Sequence, residues 1–232
     1  MTSFTQKTLS IAGVILFSIV VVRYSAISVI GKFLPFTYSS NHFHLFEQHF
    51  WQFVFSFLAM IFLSRGHLWS YGINSQNLKV SMAYLAWLYL ATVLLTIVFA
   101  ISGKSLIPIF ATDFPLHYKT SIILMLIYWM SAPVANTILF FGFGQTVLMK
   151  QWGDSLKLFG IPWIVILSAF LFTVLSTAAC FDGVGIYSWA ITFFFGVYAG
   201  FVYWKTNSLI TPMLAHAFFF GFPLFVKIAG TI

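Results

Sequence analysis

From Leu9 to Ile30 the chain offers an unbroken bilayer-length run of apolar side chains interrupted by one charge, Arg23, and the same alternation of apolar run and short polar break continues to Ile228. A hydrocarbon core takes about 20 residues of helix to cross. Inside it the backbone must satisfy its own N–H and C=O groups, which leaves helices as the element that such runs can form. Cutting at the polar breaks gives about seven spans: Leu9 to Ile30, Phe50 to Leu63, Val80 to Ser102, Thr120 to Met149, Ile161 to Cys180, Ile186 to Trp204 and Leu209 to Ile228. The second and sixth are short. Charged residues make up 6% of the chain and hydrophobic residues 61%, a balance that no water-soluble surface tolerates. The predicted class is all-α, a polytopic transmembrane helical bundle forming a single membrane domain, with residues 1–119 as N-terminal helices and loops and 120–232 as the core.

The net charge is +7, but the Lys and Arg residues stand singly at span ends, not in a run or along one face. That placement excludes a nucleic-acid partner and suits lipid headgroups and the positive-inside rule. Lys7, Arg65, Lys79, Lys150, Lys157 and Lys205 fall on one side, and Lys32, Lys104, Lys119 and Lys227 on the other with Glu47, Asp113 and Asp182. The expected location is the inner (plasma) membrane, multi-pass, with the N-terminus cytoplasmic. The first run is too long for the apolar part of a signal peptide and lacks a small-residue cleavage site, so it reads as an uncleaved span with no soluble domain attached. Arg23 either snorkels to headgroups or pairs inside the bundle. A lone cysteine, Cys180, forms neither an internal disulfide nor a thiolate cluster.

Gly196 and Gly200 make a GxxxG pair whose default role is close helix packing. The stretch Asn41 to Trp51, NHFHLFEQHFW, gathers His42, His44, Glu47 and His49. Its imidazoles and carboxylate suit a metal, yet the spacing is not HExxH, and the interleaved aromatics suit an amphipathic segment in the headgroup layer. The interfacial reading leads and metal binding stays open.

The segment Ala132 to Gln145, APVANTILFFGFGQ, carries the functional signal. It resembles the first motif of the CPBP intramembrane proteases, the type II CAAX prenyl protease and bacteriocin-processing family, which reads EExxxR followed by Gly. Asn136 and Thr137 hold the two Glu places, Phe141 the Arg place and Gly142 the Gly place. SAFLFTVLST resembles the family's FxxxH, with Phe172 matching the Phe and Ser176 standing where the His would be. The stretch ending TNSLITPMLAHAFFF matches the third motif, with His216 as its His and Phe220 where a small polar residue is usual. Tyr71-Gly72-Ile73 is similar to the family's short segment before its third helix. The resemblance covers about Thr120 to Phe222.

What the resemblance implies is a helical intramembrane endopeptidase core in which a Glu pair and two His activate water, through a metal or directly. The residues present depart from that chemistry. By the segmentation above, Glu47, Asp113, Asp154 and Asp182 all lie in loops or at span edges, so no carboxylate base is expected at depth. His216 is the one imidazole expected there, and zinc takes three or four protein ligands. No metal is therefore expected at these motif positions, and no cofactor. The first reading is a catalytically inactive relative acting as a membrane-protein partner, scaffold, or peptide-binding or immunity protein, with the pocket at Asn136, Thr137, Phe141, Phe172 and Phe220. An immunity role is permitted because some relatives sit beside peptide-antibiotic genes. The second is an active peptidase with Ser176 and His216 as catalytic pair and Asn136 donating to an oxyanion. The third is a channel or transporter subunit, although no inverted repeat is visible.

Overall fold

A computed structural model describes residues 4–25, 40–102, 131–180 and 186–229, and within them the side chains of 25, 40–46, 95–96, 99–100, 177–180, 186–188 and 220–229 lie outside the description. The described chain is all-α apart from one small hairpin. We number its helices α1 Phe4–Ser25, α2 Ser40–Ser64, α3 Leu78–Ile101, α4 Ser131–Trp152, α5 Trp163–Cys180, α6 Ile186–Thr206 and α7 Ile210–Ala229. The hairpin pairs β1 (Lys157–Leu158) with β2 (Ile161–Pro162) between α4 and α5.

Apolar side chains line the outside of the bundle as well as its core, and polar ones are buried among them. Leu9, Leu16, Trp87, Val93, Ile97, Val98 and Phe194 are exposed, while Gln48, Gln52, Ser56, Ser81, Asn136, Thr137 and Gln145 are buried. Polar groups turned inward and apolar groups turned outward are what a lipid solvent imposes. Two described helices, Phe4–Tyr24 and Ser131–Trp152, are long and apolar enough to cross a bilayer. The chain is an all-helical membrane protein.

Helix α4 is the axis of the core. From Ile138 to Gln145 it winds as a π-helix, and all eight residues of that segment are buried. Such segments are rare and collect at functional sites. Here the π segment packs on α2, α5 and α6. Gly142 lies where an added Cβ would come within 2.8 Å of Leu209 Cδ1, so the glycine sets how closely α4 approaches the start of α7. The most extensive helix pair is α5 with α6. A Cβ on Gly196 would stand 3.1 Å from the Ala169 Cα, so the GxxxG pair does let two backbones approach.

The connection between α2 and α3 is tied to the turn between α6 and α7. A short 3-10 turn, Leu68–Tyr71, ends at Gly72 in the left-handed conformation, and the Gly72 carbonyl accepts from Leu209 N–H at 2.9 Å. Asn74 Nδ2 donates to Asn207 O at 2.8 Å, Ser208 Oγ donates to Asn74 O at 2.8 Å, and Asn77 Nδ2 donates to Thr206 O at 3.2 Å. Lys150 Nζ sits 4.0 Å from the Tyr71 ring centroid, and burial pushes the Tyr71 phenol above its usual pKa, so the cation rests on a neutral ring. This clamp fixes the start of α7 and therefore where His216 stands.

Arg23 falls in the last turn of α1, exposed, which fits the snorkelling alternative. Asp113, Asp182, Lys32, Lys104 and Lys119 lie outside the described residues, as do residues 120–130 of the expected fourth span.

One expectation is corrected. Helix α2 runs from Ser40 to Ser64, beyond the expected Phe50 to Leu63, so the His- and Glu-containing stretch belongs to the same helix as the apolar run that follows it. Glu47, Gln48 and His49 are all buried within it.

Candidate functional site

Helix α2 supplies the element that sequence reasoning missed. His49, Gln52, Ser56 and Met60 recur at intervals of three and four and are all buried, which puts them on one helical face. That face packs on the π segment of α4 and the turn before it. Gln52 Nε2 donates to Asn136 Oδ1 at 2.7 Å, with both residues buried. Once Asn136 Oδ1 is engaged, its Nδ2 hydrogens are the end that can serve another acceptor. Gln52 also stands against His49, and His49 and His216 are both buried.

His216 is held by aromatic rings. Phe172 of α5 meets it edge-on at 5.4 Å between centroids, and Phe195 of α6 packs on it at 5.3 Å. Phe140 and Phe141 of α4 in turn pack on Phe172, at 5.7 Å and 5.8 Å. Phe141 fills the place of the resembling family's Arg with an uncharged ring that is 0% exposed. The aromatic shell ties α4, α5, α6 and α7 together around one imidazole.

Two hydroxyls at motif positions are left over. Thr137 Oγ1 and Ser176 Oγ are buried and have no hydrogen-bond partner among the described residues. By contrast Thr173, one turn earlier on α5, returns its hydroxyl to the Ala169 carbonyl at 2.8 Å, the ordinary solution for a hydroxyl in a membrane helix. Ser176 makes no hydrogen bond to His216, so the Ser–His pair is not formed in this structure. Phe220 has its side chain outside the described residues.

The structure therefore links Asn136 to Gln52 and Gln52 to His49 on one side, and Phe141 through Phe172 to His216 on the other. It places Thr137 next to Asn136 in α4, and Ser176 one turn beyond Phe172 in α5. The expectation that His216 is the single deep imidazole is corrected: His49 joins it. So is the expectation that every carboxylate lies in a loop or at a span edge, because Glu47 is 1% exposed inside α2. Two residues apart on a helix, however, Glu47 and His49 point to opposite sides, so Glu47 does not share the face that meets Asn136. Asp154 is exposed beyond the end of α4.

Among the described residues no three His, Cys, Asp or Glu side chains come together as ligands, and two imidazoles fall short of what zinc requires. The side chains of His42 and His44 lie outside the described residues.

Residues 118–221 match the family model of the Rce1-like type II CAAX prenyl endopeptidases. Comparison with curated proteins and with solved structures finds no match. The matched stretch contains Asn136, Thr137, Phe141, Phe172, Ser176, His216 and Phe220, and its described part includes the α4 to α7 core around His216. By that core, residues 118–221 are similar to the Rce1-like, type II CAAX prenyl endopeptidases.

Proposed function

We propose that this chain is a CAAX-protease-like membrane protein that holds a peptide at the family's catalytic position without cutting it. The observation that carries the reading is the pair of orphaned hydroxyls. A buried, unpaired hydroxyl costs about 1–3 kcal/mol, and Thr137 and Ser176 stand where the resembling family places a Glu and a His. Other buried hydroxyls, those of Ser18 and Ser168, are also unpaired; what sets Thr137 and Ser176 apart is that they flank the Gln52–Asn136 pair and the His216 shell at motif positions. Hydroxyls, a carboxamide and neutral imidazoles both donate and accept, which suits the N–H and C=O groups of an extended peptide in a dry site. None of the motif positions carries a carboxylate to activate water.

In this reading the bundle has about seven spans, with the N-terminus in the cytoplasm of the plasma membrane and residues 1–119 supporting a core of 120–232. The partner is a membrane-borne peptide or the membrane segment of another protein, a role compatible with scaffolding or immunity. Photocrosslinking tests it directly: protein reconstituted in vesicles is exposed to hydrophobic peptides carrying a photoreactive residue. Capture is expected with the wild type and is expected to fall in Thr137→Val and Ser176→Ala. Equal capture by all three would overturn the reading.

A second reading, hydrolysis, has one observation in its favour. His49 is a second buried imidazole in a protein whose α5 His place is taken by Ser176, and in this reading it joins His216 as the acid–base pair in place of Ser176 and His216.

A further inference from the structure

The loop between α4 and α5 carries a side chain that the fold does not use. After Gly153, whose N–H closes α4 on Met149 O at 2.8 Å, the chain makes a two-residue hairpin in register Lys157 with Pro162 and Leu158 with Ile161. Its turn residues are Phe159 and Gly160, with φ of 53° and 79°. Two consecutive positive φ values define the type I′ turn, whose first position favours Asn, Asp or Gly. A bulky aromatic L-residue rarely adopts that conformation. Phe159 is 95% exposed, so it buries nothing to compensate the strain. Its neighbours Leu156 and Leu158 are exposed as well.

Around this apolar tip the same end of the molecule is basic. Lys157 Nζ lies 5.6 Å from the Trp204 ring, Lys205 Nζ 4.1 Å from the same ring, and Lys7 Nζ 5.3 Å from Trp152. Trp152 also donates from Nε1 to Lys7 O at 3.1 Å and packs edge-on against Trp163 at 5.1 Å. Lysines backed by indole rings, at the ends of α1 and α6 and in the hairpin after α4, form the pattern found at a membrane–water boundary. Asp154 is the acid that the described residues place in this loop.

We propose that the 156–161 hairpin is a lipid anchor: Leu156, Leu158 and Phe159 enter the acyl boundary of the bilayer while Lys157, with Lys205 and Lys7, binds the phosphate of an anionic phospholipid. The charge of the surroundings selects the occupant. An apolar tip alone would accept any lipid, and the flanking lysines favour the anionic ones. The anchor is independent of the peptide site, which lies in the bundle interior.

The test uses the full chain with Cys180→Ser and Leu158→Cys, labelled with a polarity-sensitive fluorophore. It is reconstituted in phosphatidylcholine vesicles or in vesicles of equal parts phosphatidylcholine and phosphatidylglycerol. Blue-shifted emission, quenched by a headgroup-proximal lipid quencher, is expected in the mixed vesicles and not in phosphatidylcholine alone. Lys157→Glu is expected to lower the inserted-to-free ratio about fivefold or more, the worth of one basic residue at an anionic surface. Phe159→Asn, which suits the turn better and so preserves the hairpin, is expected to abolish insertion. Water-like emission in both vesicles, equal insertion in both, or insertion unaffected by Lys157→Glu would each overturn the proposal.

Discussion

The hydrogen bond between Gln52 and Asn136 gives the sharpest quantitative test of how α2 joins the site. Both residues are buried and the contact is 2.7 Å. Gln52→Leu removes the donor and strands Asn136 Oδ1, and Asn136→Leu strands Gln52 Nε2, so each single change loses the bond and leaves an unpaired buried group. The cost of such a group is about 1–3 kcal/mol, tempered because a helix unfolded in the membrane finds other partners. Each single variant is therefore expected to lose about 1–2 kcal/mol. The double variant leaves neither group stranded, so it should fall short of the sum by about 0.6–1.7 kcal/mol, the range for interhelical bonds in membranes. Reversible unfolding in mixed micelles, followed by circular dichroism on all four proteins, measures the coupling. Additivity within about 0.3 kcal/mol would refute the contact as a structural link between α2 and α4.

Other outcomes follow from positions of close approach and from the orphaned hydroxyls. Gly72→Ala places a Cβ 2.3 Å from Tyr203 Cε2 at a φ of +81°. It should cost about 2–5 kcal/mol, combining left-handed strain with overpacking, and would be read as lost unfolding stability and faster proteolysis of the 67–77 loop. Gly196→Ala drives a methyl to within 3.1 Å of the α5 backbone at Ala169 and should cost about 1–3 kcal/mol; a neutral result in the same unfolding assay would show that α5 and α6 are not in close backbone contact. Thr137→Val deletes a buried hydroxyl without a partner among the described residues and should raise stability by about 1 kcal/mol while lowering peptide capture. A loss of stability would mean that the hydroxyl is satisfied within the fold.

Much of the architecture is legible in the sequence because lipid leaves the backbone few choices. The starts of α5, α6 and α7 fall close to where the apolar runs begin, and the GxxxG glycines sit at a close helix approach. The order of motif positions along α4, α5 and α7 also emerges around one imidazole. The failure at α2 has a physical cause. Segmentation by hydropathy treats a polar cluster as a place where the helix ends, so it stops short of His49, whereas α2 continues back to Ser40 with His49 buried one turn before Gln52. The stripe His49, Gln52, Ser56, Met60 has helical spacing and was available as a signal; the interleaved Phe43, Phe46, Phe50 and Trp51 made the amphipathic reading look complete. The π segment has no signature in the sequence beyond two glycines, Gly142 and Gly144, in a run of aromatics. The hairpin was hidden as well, since Phe159-Gly160 lacks the Asn-Gly or Asp-Gly chemistry that marks such turns.

The central claim is that a CAAX-protease-like core here binds peptide and does not hydrolyse it. The direct measurement is the fate of an isotope-labelled hydrophobic peptide incubated with the reconstituted full chain and followed by mass spectrometry. The account predicts that the peptide is recovered intact by wild type, His216→Ala and His49→Ala alike, while photocrosslinking shows that the wild type engages it. Cleavage by the wild type that disappears in His216→Ala or His49→Ala would contradict it, and would make the α2 imidazole part of a working peptidase.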